Sequence, residues 1–188
     1  MIYDIGIDLD GVCRNFPEAM NRTFAEVYPN LAKEIKPQVD YNFDAWPFKK
    51  AGIDPWDFMK KYPQEIFALA DKIPGAIEAI TEIVNTLEPK GHRILICSHQ
   101  LPEISRYSWL WLYLNQVPVS NVIFVPESKE KWKYVDIMID DSPHVMEAKP
   151  KDKISFKVNL PYNKDSKSNH SIDHVSEFLP IFMKEYQK

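Results

Sequence analysis

Residues 3–16 read YDIGIDLDGVCRNF, and this stretch decides how the rest of the chain can fold. An apolar run leads up to two aspartates, Asp8 and Asp10, which are separated by one leucine and followed by Gly11. Residues two apart on an extended segment face the same side, so both carboxylates can address one ligand. A solvated turn is the ordinary alternative. Like charges this close repel each other, and a bound cation is the simplest way to offset that cost.

Composition limits the possible functions. The chain has 188 residues, enough for one hydrophobic core and a small second lobe. Its net charge of -4 argues against a binder of nucleic acid polymers, which is normally basic. The two cysteines, Cys13 and Cys97, lack metal-type spacing, and we interpret them as reduced thiols. No signal pattern and no apolar run of ~18 residues is present, so we expect a soluble, cytoplasmic protein without a membrane span. The sequence leaves its assembly, monomer or homodimer, open.

Five short apolar, β-branched runs predict strands, and helical patterns lie between several of them. The predicted strands are residues 2–8, 93–98, 121–125, 136–140 and 154–159. The predicted helices are residues 76–91, 102–115, 142–148 and, interrupted by Pro180, 171–186, with an exposed loop at 163–169. Strands that alternate with helices indicate an α/β protein with a parallel, Rossmann-like sheet covered on both faces.

Residues 16–72 break this alternation. They contain no convincing strand but many prolines and aromatic residues, and so high an aromatic content argues against disorder. We therefore predict a small helical cap inserted after the first strand. This divides the chain into a catalytic core of residues 1–15 and 73–188 and a cap of residues 16–72.

Polar side chains follow three of the predicted strands where each strand ends. Asp8 and Asp10 follow the first, Ser98 ends the second, and Asp140 and Asp141 end the run VDIMIDD. Ligands of an open parallel sheet bind outside the carboxyl ends of its strands. Carboxylates and a hydroxyl, with nearby lysines and no cluster of His or Cys, suit Mg²⁺ with a phosphate as its partner.

These motifs resemble those of the haloacid dehalogenase superfamily in order, strand context and spacing. DLDGV at residues 8–12 is similar to its first motif, ILICS at 94–98 to the second, Lys129 to the lysine of the third, and IMIDDSP at 137–143 to the fourth. IPGAIEAI, RYSWLWLYL and NLPYN further resemble the 5′(3′)-deoxyribonucleotidase branch. The resemblance implies a haloacid dehalogenase fold and a Mg²⁺-dependent phosphatase that acts on nucleoside monophosphates through an aspartyl-phosphate.

The resemblance also implies roles for single residues. Asp8 would be the nucleophile, and Asp10 the general acid and then the general base. Mg²⁺ would be bound by Asp8, Asp140 and the carbonyl of Asp10, with Asp141 orienting these ligands. The expected phosphate-binding residues are Ser98, His99, Lys129 and, through its backbone, Gly11.

Two of these assignments have alternatives. His99 is adjacent to Ser98 and can touch the substrate, but an ordinary loop histidine fits equally well. The stretch from Lys129 to the aspartate pair is about one residue longer than in the family, which leaves Lys131 as a rival. Both lysines could also belong to a solvated helix face.

Selectivity should come from the cap, because the core would recognise only phosphate and metal. Phe43 and Trp46, in the Pro-broken stretch YNFDAWPF, are the predicted stacking partners of a nucleobase. Two other functions compete: a phosphatase of the same superfamily for another small phosphomonoester, and a non-catalytic phosphate-binding relative. The second is disfavoured because loss of catalysis usually removes Asp8 or Asp10, and both are present.

Overall fold

A six-stranded parallel sheet forms the centre of the protein, in a computed structural model that describes residues 1–36 and 43–187. Its strands are β1 (Asp4–Ile7), β2 (Arg93–His99), β3 (Asn121–Val125), β4 (Ile137–Asp140), β5 (Ile154–Val158) and β6 (His170–Ile172). All neighbours pair in parallel, in the order β3-β2-β1-β4-β5-β6. The predicted α/β class is confirmed.

The sixth strand was not predicted. β6 pairs with β5 through Phe156 and His170, at the edge of the sheet. Its three residues are polar at two positions, too few for an alternating pattern to be recognised. The last helix consequently begins at Phe178 rather than at residue 171. Pro180 lies in its first turn, where a missing N–H costs no hydrogen bond.

Helices cover the sheet and form the inserted segment. They are α1 (Phe16–Val27), α2 (Phe48–Ala51), α3 (Pro55–Lys61), α4 (Ala76–Leu87), α5 (Pro102–Leu114), α6 (Pro143–Glu147) and α7 (Phe178–Tyr186). α4 buries one apolar face because its isoleucines recur at helical spacing. Within residues 1–36 and 43–187, the helices are all too short or too polar to cross a membrane.

The inserted segment has its own hydrophobic cluster. Aromatic and methionine side chains make up most of it, and the buried ones include Met20, Phe24, Trp46, Phe58 and Phe67. The cluster also takes in Ile104 of α5, so the segment packs directly against the sheet domain. Its described residues contain helices and turns but no strand, as predicted for a helical cap.

The chain reverses its direction of travel across the sheet at β1. From β1 it proceeds to β2 and β3 on one side, and β4 then returns to the other side of β1. Ile7 pairs with Ile139, so the residues that follow these two strands lie next to each other. Such a switch point opens a crevice at the carboxyl ends of the strands, which is where ligands bind in sheets of this type.

Candidate active site

Three buried carboxylates meet at this switch point. Asp8 follows β1, Asp140 ends β4, and Asp141 follows it. One ligand oxygen from each lies within 4.8 Å of the others. The side chains are nearly inaccessible, at 5%, 0% and 5% exposed respectively. The pairing of Ile7 with Ile139 sets this distance, since the next residue along each strand is a carboxylate.

Lys131, and not Lys129, lies among these carboxylates. The Lys131 ammonium is 3.0 Å from Asp8 Oδ1 and 2.7 Å from Asp140 Oδ2, and the residue is 1% exposed. Lys129 is exposed and pairs with Glu127 at 2.8 Å. Both belong to the 3₁₀ helix Ser128–Lys133, where residues two apart point about 120° away from each other. Contrary to expectation, Lys129 therefore lies outside the carboxylate cluster, and its rival Lys131 lies inside it.

The cluster carries more negative charge than its own lysine can balance. Burial raises the pKa of Asp140 to about 7, although Lys131 acts in the opposite direction. Burial, together with the charges of Asp140 and Asp8, also raises the pKa of Asp141. The raised pKa values mean that Lys131 alone does not keep all three buried carboxylates ionised. Closely spaced carboxylate oxygens that need a further counter-charge fit a hard divalent cation such as Mg²⁺.

The segment NLPYN holds Asp141 in place. The hydroxyl of Tyr162 donates a hydrogen bond to the Asp141 carboxylate. The side-chain amide of Asn163 donates to the Asp141 backbone carbonyl and to that of Val158, each at 2.7 Å. Asn163 is 1% exposed, so these bonds form in the interior. The sequence indicated this segment only as part of a resemblance. The hydrogen bonds show what the segment does, which is to fix the position of Asp141.

Asp10 is turned toward a different cation. Arg14 Nε lies 2.7 Å from Asp10 Oδ1, and Arg14 Nη2 lies 2.9 Å from Asp10 Oδ2. Gln100 Nε2 donates to the same Oδ2 at 3.2 Å. About a quarter of the Asp10 side chain, 26%, remains exposed. Asp10 is thus charge-balanced separately from the buried cluster, and sequence reasoning singled out neither Arg14 nor Gln100.

Gly11, Ser98 and His99 complete the core side of the site. Gly11 has a φ of +78°, and a Cβ there would overlap the Asp141 carboxylate, so glycine suits this turn for two reasons. Ser98 ends the buried part of β2 and is 1% exposed. Burial lowers the pKa of the half-buried His99, and the charge of Lys131 lowers it further. Both effects favour the neutral form of the His99 imidazole.

A cavity of about 380 Å³ extends from these residues to the inserted segment. The core contributes Asp8, Asp10, Gly11, Ser98, His99, Lys131 and Asp141 to its lining, and the inserted segment contributes Phe16, Phe43, Trp56, Met59 and Phe67. Phe43 and Trp56 meet edge to face at 5.7 Å, and Trp56 also meets the His99 ring at 6.2 Å. One end of the cavity is therefore charged and the other is aromatic.

Trp46 does not line this cavity, contrary to expectation. It is 3% exposed, belongs to the apolar cluster of the inserted segment, and donates its indole N–H to Asn21 Oδ1 at 3.0 Å. Trp56, which is 40% exposed, stands beside Phe43 instead. Trp56 lies in the first turn of α3 after the Asp54 cap, and the sequence offered no signal for which face of so short a helix meets the cavity.

Solved structures of similar fold identify the fold of the protein. The L-2-haloacid dehalogenase of Xanthobacter autotrophicus with covalently bound chloropropionic acid is similar, with a TM-score of 0.65, 12% identity, and 99% of this chain and 100% of that chain covered. CbbY of Rhodobacter sphaeroides in complex with phosphate gives a TM-score of 0.62 at 14% identity, covering 95% and 97%. The HAD-hydrolase YfnB of Bacillus subtilis bound to magnesium gives 0.60 at 14%, covering 96% and 99%. The fold is that of the haloacid dehalogenase superfamily.

Within that superfamily, the family is defined by sequence. Residues 1–184 match the model of the family described as 5′ nucleotidase, deoxy (pyrimidine), cytosolic type C protein, and the chain belongs to this family. A protein of Chlorobaculum tepidum described as a proposed 5′(3′)-deoxyribonucleotidase is 27% identical over 148 residues, which are 74% of this chain and 69% of that protein. The expectation of a phosphatase of the 5′-nucleotidase type, in the deoxyribonucleotidase branch, is confirmed.

The two lysines give a direct test of this site. Lys131→Met should lower kcat/KM for a phosphate ester by about 10²-fold or more, because it removes the charge between Asp8 and Asp140. Lys129→Met is the matched control and should hardly change kcat/KM, since its ion pair with Glu127 is exposed. Steady-state kinetics of the two folded variants measure both effects. The reverse order of damage would return the role to Lys129.

Proposed function

We propose that this protein is a Mg²⁺-dependent phosphatase of nucleoside monophosphates that works through an aspartyl-phosphate. One observation carries the proposal: Asp8, Asp141 and Lys131 line the charged end of a cavity whose other end is aromatic. A phosphate ester of a flat, apolar group has the same two-part chemistry. The family match and the relative from Chlorobaculum tepidum support the same substrate class.

In the first step, a carboxylate oxygen of Asp8 attacks the phosphorus of the ester. A bond forms between that oxygen and phosphorus, and the bond from phosphorus to the leaving oxygen breaks. Asp10, two residues on and lining the same cavity, gives its proton to the leaving oxygen, so a neutral alcohol departs. Lys131 and Ser98 hold the remaining phosphoryl oxygens. The backbone N–H of Gly11 instead donates to the Arg14 carbonyl at 3.0 Å.

In the second step, a water molecule attacks the phosphorus of the aspartyl-phosphate. Asp10 takes a proton from that water, and the bond between Asp8 and phosphorus breaks to release inorganic phosphate. Asp10 ends protonated and Asp8 ionised, as at the start, so no further reactant is needed. The same side chain serves as acid and then as base, which requires that it stay in one place through both steps.

Asp8, Asp140 and the carbonyl oxygen of Asp10 would hold the metal, and Asp141 would orient them. Bound Mg²⁺ would neutralise charge on the phosphoryl group and on the carboxylates around it. The close approach of three buried carboxylates supports this assignment. In addition, one similar structure, YfnB of Bacillus subtilis, is bound to magnesium.

The aromatic end of the cavity supports the proposed substrate class. We assign residues 16–72 as a cap over a core of residues 1–15 and 73–188, and the cap supplies Phe43 and Trp56. Aromatic faces stack on nucleobases with little regard to which base is present, at about 1–3 kcal/mol per base. Nucleoside monophosphates are therefore preferred over phosphate esters that lack a ring.

A cytoplasmic location is part of the same proposal. Cys13 and Cys97 are both buried and unpaired, and burial raises the pKa of each thiol. Such thiols are chemically inert and need no oxidising environment. The acidic net charge fits a small anionic substrate bound through a local metal rather than a nucleic acid polymer.

A panel of phosphate esters tests the function. The purified protein with Mg²⁺ should hydrolyse deoxyribonucleoside and ribonucleoside monophosphates with higher kcat/KM than glycerol phosphate or sugar phosphates. Excess chelator should abolish hydrolysis, and added Mg²⁺ should restore it. A preference for a phosphate ester without a base would favour another small phosphomonoester. No hydrolysis of any ester would indicate a non-catalytic relative.

Thermal unfolding separates metal binding from activity. Mg²⁺ should raise the Tm of the wild type, because ligand binding to the folded state alone stabilises it. Asp140→Asn should lose this rise, since it removes a buried metal ligand of nearly the same shape. A rise that persists in Asp140→Asn would contradict the assignment of the site.

Replacing the cavity aromatics tests the substrate class. Trp56→Ala and Phe43→Ala should each raise KM for nucleoside monophosphates about ten-fold, the loss of one stacking contact. Each should hardly change kcat/KM for glycerol phosphate, which has no ring to stack on the cavity aromatics. Trp46→Ala is the control, and it should lower Tm and affect both substrates alike, because Trp46 packs inside the cap. Equal losses on both substrates for Trp56→Ala would contradict the stacking role.

A further inference from the structure

Arg14 is a fully buried guanidinium next to the active site, at 0% exposure. Its charge lies against the rings of Phe67 and Trp111, at 5.1 and 5.7 Å from their centroids. Its Nη1 donates to the carbonyl of Phe67 at 3.1 Å and to Ser108 Oγ at 3.0 Å. Nε and Nη2 bind the two oxygens of Asp10. All three nitrogens therefore have hydrogen-bond partners in the interior.

These bonds are part of a closed ring that returns to Asp10. Ser108, on α5, accepts from Arg14 and donates through its hydroxyl to Gln100 Oε1 at 2.9 Å. Gln100 then donates from Nε2 to Asp10 Oδ2 at 3.2 Å. Gln100 and Ser108 are 4% and 0% exposed. The ring joins the loop after β1, the loop after β2, and α5, so the position of Asp10 is set by three separate parts of the core.

The hydrogen bonds of the ring use the two oxygens of Asp10 unequally. A carboxyl group has about four lone-pair sites, two on each oxygen, and its proton occupies one of them when it acts as an acid. Oδ2 accepts from Arg14 Nη2 and Gln100, and both of its sites are used, whereas Oδ1 accepts only from Arg14 Nε. The side chain lines the cavity and stays 26% exposed. One site, on Oδ1, is thus left for the proton that Asp10 exchanges.

We infer that Arg14, together with Gln100 and Ser108, positions Asp10 so that proton exchange with the leaving group takes place at Oδ1. The inference rests on the proposed function, in which Asp10 is the acid. Arg14 is fully buried, does not line the cavity and acts only through Asp10, so it is a positioning residue. A buried ion pair is weak evidence for stability, because apolar side chains of similar volume often serve as well. Here one partner of the pair, Asp10, is 26% exposed and lines the cavity, which indicates a role in positioning that carboxyl group.

The same ring connects the cap to the acid. Phe67 lines the cavity from the cap side, and its carbonyl accepts from Arg14. Trp111, whose ring lies against Arg14, donates its indole N–H to the carbonyl of Ala70 at 2.8 Å. The segment that ends the cap is therefore hydrogen-bonded to the residues that hold Asp10.

The test compares substrates whose leaving groups need a proton to different degrees. 4-Nitrophenolate leaves readily as an anion, whereas phenolate and a nucleoside alkoxide need protonation. Arg14→Met should lower kcat/KM for phenyl phosphate and a nucleoside monophosphate at least about ten-fold more than for 4-nitrophenyl phosphate, out of the 10²–10⁴-fold that general acids contribute. This difference between substrates in the loss of kcat/KM is called the split below. Asp10→Asn should give a split in the same direction and serves as the reference.

Two further variants keep the test valid if Arg14→Met does not fold. Ser108→Ala and Gln100→Leu break the ring but leave the ion pair of Arg14 with Asp10 intact, and each should give a smaller split in the same direction. Arg22→Met is the matched control. Arg22 donates to Leu69 O and to Asp71 at the end of the cap but not to Asp10, so its loss should affect all substrates alike.

The outcomes separate this inference from the proposed function. If the wild type hydrolyses no ester, or if Asp10→Asn gives no split, the acid role fails and the inference fails with it. If Asp10→Asn gives the split while Arg14→Met, Ser108→Ala and Gln100→Leu lower all substrates equally, the ring is only structural. That second result overturns the inference alone.

Discussion

The ion pairs of the buried Lys131 with Asp8 and Asp140 are the contacts on which the rest of the site depends. Parallel pairing of β1 with β4 forces these two carboxylates together, and Asp141 follows directly. Charges buried this completely are stable only when they are paired. One ammonium does not keep three buried carboxylates ionised, and the proposed divalent cation would supply the further positive charge.

Much of the fold could be predicted because the strands are apolar runs ending in chemically distinct residues. DLDGV and IMIDDSP mark the ends of β1 and β4, and both lie where the prediction put them. β6 was missed because a three-residue polar edge strand has no periodic signal. Residues 170–172 form a strand because they pair with β5, and this contact cannot be read from the local sequence.

The predictions of which side chains face the site failed for a common physical reason. Lys129 and Lys131 are two residues apart on a 3₁₀ helix, so one turns outward and the other inward, and spacing in the sequence cannot decide which. The same holds for two tryptophans of the cap, because the sequence does not show which of them is buried. Trp46 packs in the apolar cluster, whereas Trp56 lines the cavity. Arg14 could not be distinguished from a surface arginine until its burial was known.

The account depends most directly on Asp8 as the nucleophile, and Asp8→Asn measures this. Asparagine keeps the shape of the side chain but removes its charge and nucleophilicity. The account predicts a folded protein with an unchanged sheet, judged by circular dichroism, whose kcat/KM for a nucleoside monophosphate falls by about 10³-fold or more. A folded Asp8→Asn variant that keeps more than roughly a tenth of the wild-type kcat/KM would contradict it.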